Sequence, residues 1–220
     1  MTARRPRVVL FDVVETLFSL SPIEDALEPT GVGADLFFTR LLRDGFALTA
    51  AGDFRPFGDV ARAALTAQAP TTADEVINDV VAAFGRLPAH SDVRPALEGL
   101  ASAGVTIATL TNGSRDTTSM LLDNAGLTTL VQRVLTVEDA GAWKPSPRPY
   151  RRAAAVLGRE PGDVALVAVH AWDVHGAHRA GFTTGWCSRL EGHFTELFEP
   201  PDVTGNDLIA VVEGLLELPA

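Results

Sequence analysis

The chain opens on an apolar, β-branched run, Val8 to Val14, interrupted by one charge at Asp12; such a run reads as a buried strand. From about Pro22 to Leu87 the period changes. Leu36, Phe37 and Leu41, Phe38 and Leu42, Val60 and Ala64, Ala61 and Leu65, Val76 and Val80, and Ile77, Val81 and Phe84 recur at spacings that place them on helix faces. Gly31-Val32-Gly33, Gly52-Asp53, Pro56 and Pro70 punctuate this block, which predicts helices joined by turns. From Asp92 onward helix and strand patterns alternate. Helices are expected over Arg94 to Ser102, Asp116 to Ala125, Pro147 to Leu157, Asp173 to Ala180 and Asn206 to Leu216. Strands are expected over Val105 to Leu110, Val131 to Val137, Val164 to Val169 and Thr183 to Ser188. Gly126, Gly158 and Gly181 follow helix patterns, where a left-handed C-cap is common. This alternation predicts an α/β fold with a doubly wound parallel sheet and helices on both faces. Residues 1–18 and 89–220 are expected to make the core, and residues 19–88 an inserted α-helical block.

In open parallel sheets, ligands bind beyond the carboxyl ends of the strands. The first strand delivers Asp12 there, and the second Thr111-Asn112-Gly113-Ser114. The third is followed by Trp143-Lys144-Pro145, and the fourth by His170-Ala171-Trp172-Asp173. Four strand ends thus bring two carboxylates, an ammonium, a hydroxyl and an amide towards one place. A carboxylate within so apolar a run as Asp12 calls for a functional reason. Asp173 also suits the N-cap of the helix after it. His90, His175, His178 and His193 form no metal-ligand spacing, and Phe37, Phe38, Phe46 and Phe57 read mainly as core of the helical block.

Composition narrows the partners. Twenty-eight acidic against 18 basic residues give a formal charge of −10, which disfavours nucleic acid and anionic membrane. An anionic substrate would then need local positive charge at its site. The apolar fraction of 46% is ample for a packed core. A single cysteine, Cys187, forbids an internal disulfide and fits a cytoplasmic location. No signal peptide is read in Met1 to Arg7, and no apolar run is long enough to span a membrane. A homodimer is left open.

Four segments together resemble the haloacid dehalogenase superfamily: Phe11-Asp12-Val13-Val14-Glu15-Thr16-Leu17, Leu110-Thr111-Asn112-Gly113-Ser114, Lys144-Pro145-Ser146-Pro147-Arg148-Pro149-Tyr150, and Ala171-Trp172-Asp173-Val174-His175-Gly176-Ala177. They stand in that family's order and span most of the chain. The resemblance implies a Rossmann-like core with an inserted helical cap. It makes Asp12 the nucleophile, Lys144 its charge partner, Thr111 a substrate hydrogen-bonding group and Asp173 the acidic residue of the fourth motif.

Phosphatases of the superfamily carry an aspartate two residues after the nucleophile, where this chain has Val14. An alkoxide leaving group needs a proton from a positioned acid, a contribution of about 10²–10⁴-fold, and valine supplies none. A halide leaves without one. The 2-haloacid dehalogenase branch is therefore the closer resemblance, and Trp172 before Asp173 agrees with it. That branch implies a small anionic organic substrate, a short 2-haloalkanoate, attacked by Asp12 to give an aspartyl ester that water cleaves near Asp173, with help from His170 or Lys144. By the same resemblance Arg40 binds the substrate carboxylate, Asn112 helps cradle the halide, and Phe57 and Val14 line the pocket. No cofactor is expected. In the runner-up reading, a magnesium-dependent phosphatase, the ion sits between Asp12 and Asp173. Three departures stand out: Ala168 replaces a serine, His170 an asparagine and Glu15 a glycine.

Overall fold

The computed structural model describes residues 3–220; Met1 and Thr2, part of the N-terminal segment read above, lie outside them. Six parallel strands form one sheet: β1 (Val8–Phe11), β2 (Thr106–Thr111), β3 (Arg133–Thr136), β4 (Val164–Ala168), β5 (Thr183–Cys187) and β6 (Val203–Gly205). Their order is β3-β2-β1-β4-β5-β6. The chain winds outward from β1 to β3, then returns to place β4 on the other side of β1. The switch point of this doubly wound sheet therefore lies between the ends of β1 and β4.

Nine α-helices surround it among the described residues. Four follow β1 directly: α1 (Ser21–Leu27), α2 (Ala34–Ala50), α3 (Phe57–Gln68) and α4 (Asp74–Ala83). The rest connect or flank strands: α5 (Val93–Ser102), α6 (Arg115–Asn124), α7 (Pro147–Leu157), α8 (Ala171–Arg179) and α9 (Leu208–Glu217). Because successive strand side chains point to opposite faces, each central strand feeds two cores. Val9, Phe11, Ile107 and Val167 pack on one side with α5, α9 and the α1–α4 block. Leu10, Leu110, Leu166 and Ala168 pack on the other with Tyr150, Ala153 and Val174 from α7 and α8.

The α1–α4 block is fastened to the sheet beside the Lys144 loop. Trp143, fully buried, donates from its backbone N–H to Thr49 Oγ1 at 2.9 Å and from Nε1 to the Arg55 carbonyl at 2.9 Å. Its ring stacks on Phe57 at 5.8 Å between centroids. Gly45 makes this closeness possible, since a Cβ there would fall 2.4 Å from the Trp143 ring.

Three expectations shift. The first strand stops at Phe11, so Asp12 opens the loop rather than lying within the strand. The helix after β4 starts at Ala171, so Asp173 is its third residue and not its N-cap; its carboxylate is drawn to Lys144 and Tyr150 instead. The edge strand β6 was not expected, because Val203-Thr204-Gly205 is too short to carry an alternating pattern. No helix among the described residues is long and apolar enough to cross a membrane.

Candidate active site

Asp12 leaves the end of β1 with its backbone N–H bonded to the Val167 carbonyl of β4 at 3.0 Å, which carries the sheet ladder one step further. Its side chain is nearly enclosed, 8% exposed. Oδ1 accepts from Lys144 Nζ at 2.8 Å, and Oδ2 from Thr16 Oγ1 at 2.8 Å. Thr16 in turn accepts the Val169 N–H at 3.1 Å, tying the nucleophile loop to the end of β4.

Lys144 is completely buried, and its ammonium uses three acceptors: Asp12, Asp173 Oδ2 at 2.5 Å and the Leu110 carbonyl at 2.7 Å. Asn112 Oδ1 accepts the Lys144 backbone N–H at 2.9 Å, so its amide side chain shapes the lysine loop. Tyr150 donates to Asp173 Oδ1 at 2.6 Å. Gly176 permits this, because a Cβ there would lie 2.5 Å from the tyrosine hydroxyl.

These contacts set the charges. Burial alone would raise the Asp12 carboxyl, but the Lys144 ammonium and the neighbouring His170 hold it well below the ordinary carboxylate range. Burial pushes Asp173 up and the Asp12 charge adds to this, against Lys144 and Tyr150. Lys144 is raised, since its two carboxylate partners outweigh desolvation. The result is an ionised carboxylate stripped of most of its water, the state a nucleophilic oxygen needs.

His170 Nε2 bonds Glu15 Oε2 at 2.9 Å, and Nδ1 stands 3.5 Å from Asp12 Oδ2, an ion pair rather than a hydrogen bond. Its ring stacks on Trp172 at 5.1 Å, and Trp172 meets Phe46 of α2 edge-on at 5.0 Å. Burial pushes the imidazole down, but contacts with Asp12 and Glu15 raise it to about 10. A raised value stabilises the fold fully below the unfolded value of 6.5 and is lost as pH climbs through about 10. Stability in urea should therefore fall across that window, on the order of 1 kcal/mol per pH unit at most. His170→Asn should flatten the profile; a wild-type profile already flat there would mean the ring is neutral.

Two hollows flank the nucleophile. One, of about 580 Å³, is lined by Glu15, His170 and Trp172 from the sheet side and by Phe38, Arg43 and Phe46 from α2. The other, of about 240 Å³, is lined by Val14, Phe57, Thr111, Gly113 and Ser114 among others. The structure thus gathers Asp12, Lys144, Asp173, His170 and Trp172 around one point, with Val14, Phe57 and Thr111 at the second hollow. The Thr111 hydroxyl accepts the Gly113 N–H at 2.9 Å. Arg40, half-buried on α2, lines neither hollow, whereas Arg43 lines the first. Sequence reasoning passed over Thr16 as a site residue, gave Tyr150 no role beyond its place in the third motif and noted Glu15 only as a departure. For Thr16 the available signal was its spacing, four residues beyond Asp12 in a tight loop.

In the runner-up reading a magnesium ion would compete with protein donors here. The Lys144 ammonium already bridges the two carboxylates, and each of their four oxygens has a protein donor. Among the described residues no cluster of three or more His, Cys, Asp or Glu is arranged to hold a metal.

A family model for haloacid dehalogenase-like hydrolases matches residues 6–181. The chain is 28% identical over 218 residues to haloacetate dehalogenase H-2 of Moraxella sp. (strain B), covering 95% of this chain and 97% of that one. It is 30% identical over 193 residues to (S)-2-haloacid dehalogenase of Xanthobacter autotrophicus, covering 84% and 76%. The solved L-2-haloacid dehalogenase from Xanthobacter autotrophicus with chloropropionic acid covalently bound aligns with a TM-score of 0.84 at 26% identity, over 94% of this chain and 97% of that one. With a buried, lysine-held aspartate at the switch point of such a sheet, the chain belongs to the haloacid dehalogenase-like hydrolase family.

Proposed function

We propose that this hydrolase is a 2-haloacid dehalogenase acting on short 2-haloalkanoates. The observation that carries the reading is the setting of Asp12: nearly enclosed, and bonded to the Lys144 ammonium, with no proton donor at Val14. In the first half-reaction an Asp12 oxygen attacks the carbon bearing the halogen, with inversion. The carbon–oxygen bond forms as the carbon–halogen bond breaks, and the halide takes the electron pair. The substrate carboxylate pairs with an arginine of α2, whose planar fork suits that partner: Arg40, or Arg43, which is on the wall of the larger hollow and would exchange its Asp44 partner for the substrate. Water then cleaves the Asp12 ester at its carbonyl, with the Lys144 ammonium stabilising the charge that develops.

We read residues 19–88 as a cap over this site and place the enzyme in the cytoplasm, where its one cysteine, buried at Cys187, stays reduced. The mechanism requires no metal. Halide release from L-2-chloropropionate should therefore be unchanged by EDTA, and a phosphate ester such as p-nitrophenyl phosphate should remain intact. Chelator-sensitive phosphate release, with no halide from a panel of L- and D-2-haloacids and fluoroacetate, would replace this reading with the phosphatase.

A further inference from the structure

We propose that Arg189, in the loop between β5 and β6, is a positioning residue for the nucleophile: it holds the Thr16 carbonyl, so that the Thr16 hydroxyl keeps Asp12 aimed at the substrate. This rests on the aspartyl-ester reading above.

The chain leaves the sheet after β1 and returns to it before α5, and the two crossings run side by side. The Ser19 N–H donates to the Pro88 carbonyl at 2.9 Å, and the His90 N–H to the Leu17 carbonyl at 3.0 Å. These bonds tie the crossings to each other. Arg189 ties both of them to the end of β5. Its Nη1 donates to Asp92 Oδ1 on the returning crossing at 2.8 Å, and its Nη2 to the Thr16 carbonyl on the outgoing one at 3.3 Å. The preceding residue, Ser188, bonds its N–H to the Gly205 carbonyl of β6 at 2.9 Å, so the sheet carries the arginine's backbone.

Asp92 gives the guanidinium its orientation. It stands at the N-cap of α5, where an aspartate ordinarily accepts from its own helix, yet its side chain makes no such bond. One carboxylate oxygen takes Arg189 instead, and the other takes the Leu208 N–H that opens α9, at 2.7 Å. Burial pushes the Asp92 carboxyl up, but the guanidinium and the Leu208 N–H bring it below its ordinary value, so it stays an anion. A planar guanidinium fixed at one end by that anion presents its other end to Thr16 in a defined direction.

Thr16 is the link to the chemistry. It is fully buried; its hydroxyl donates to Asp12 Oδ2 at 2.8 Å and accepts the Val169 N–H at 3.1 Å. The next two residues fold back, with the Leu17 and Phe18 N–H groups both donating to the Val13 carbonyl. The Thr16 carbonyl and hydroxyl belong to one residue of this tight loop. A peptide that rotates when Arg189 releases it therefore carries the hydroxyl away from Asp12. Displacement of a halide depends on the aim of the attacking oxygen, and a misplacement of about 1 Å lowers the rate by about 10²-fold.

Rapid-quench kinetics with L-2-chloropropionate test this. In Arg189→Lys the single ammonium keeps the Asp92 pair but does not also reach Thr16. Its urea midpoint should stay near that of wild type, while the halide burst slows about 10-fold at an unchanged half-saturating substrate concentration. Arg189→Met should slow the burst by about 10²-fold. A residue that served the fold alone would give the reverse, a lower midpoint with a normal burst per folded site. The decisive comparison uses Thr16→Val, which has no hydroxyl left to misplace. In that background Arg189→Lys should slow the burst no further, because both residues act through one contact. Losses that multiply, or a wild-type burst in Arg189→Lys, would overturn the assignment alone, provided that wild type shows the Asp12 adduct in its intact-protein mass. If wild type forms no adduct, the ester reading falls and the assignment with it.

Discussion

Asp12→Asn is expected to lower halide release by about 10⁴-fold or more, the order seen when a covalent nucleophile is removed from an otherwise intact site. The substitution keeps the shape of the side chain. Lys144 and Thr16 can still donate to the remaining oxygen or find new partners nearby, so the protein should fold and a 2-haloacid should still enter the hollow. What disappears is the anionic oxygen. An amide oxygen is a far weaker nucleophile, and no second carboxylate is free to replace it: Asp173 is walled off by Tyr150 and Lys144, and Glu15 is turned towards His170. The companion measurement uses heavy-oxygen water with enzyme in excess. In wild type, the oxygen of the first hydroxy acid should come from Asp12 and carry no label, while the label enters the aspartate. Label in that first product would mean that water attacked the substrate directly, and near-normal halide release by Asp12→Asn would say the same.

Much of this site was legible before any coordinates, for a reason tied to topology. A parallel sheet presents all its carboxyl ends on one edge, so residues far apart in sequence, such as Asp12, Lys144 and Asp173, can be recognised as neighbours from strand order alone. What stayed hidden depends on tertiary placement. The role of Tyr150 was not legible because its acceptor on Asp173 is 23 residues away and is reached only where Gly176 leaves room. The choice between Arg40 and Arg43 turns on the phase of α2. Phe37, Phe38 and Leu41 are all buried there, a wide stripe that leaves open which arginine faces the hollow. The strand β6 has three residues and takes its place by pairing with β5 rather than from its own composition.

Lys144→Met tests the electrostatic centre of the fold as well as the chemistry. Methionine matches the lysine stem in volume but leaves Asp173 without a counter-ion and Asp12 with His170 alone. Breaking a buried pair by removing one partner costs about 3–5 kcal/mol, because an uncompensated charge is left behind. The deficit should follow a defined course with pH. In wild type the Asp12 carboxyl is depressed, so its contribution is present above the unfolded value of 3.8 and fades in strong acid. In the variant the lowering influence of Lys144 is gone: Asp173, raised by burial and by the Asp12 charge, opposes folding above 3.8 and ceases to do so once protonated, while Asp12 keeps only His170 against its own burial. The stability gap between the two proteins should therefore be widest near neutral pH and narrow as pH falls towards 4. Urea midpoints measured at several pH values give this directly. Adding Asp173→Asn to Lys144→Met should recover a good part of the lost stability without restoring dehalogenation, since Asp12 would still lack the ammonium that keeps it ionised. A Lys144→Met protein of unchanged stability, with the same acid profile as wild type, would mean that the ammonium does not hold these carboxylates in their charged state.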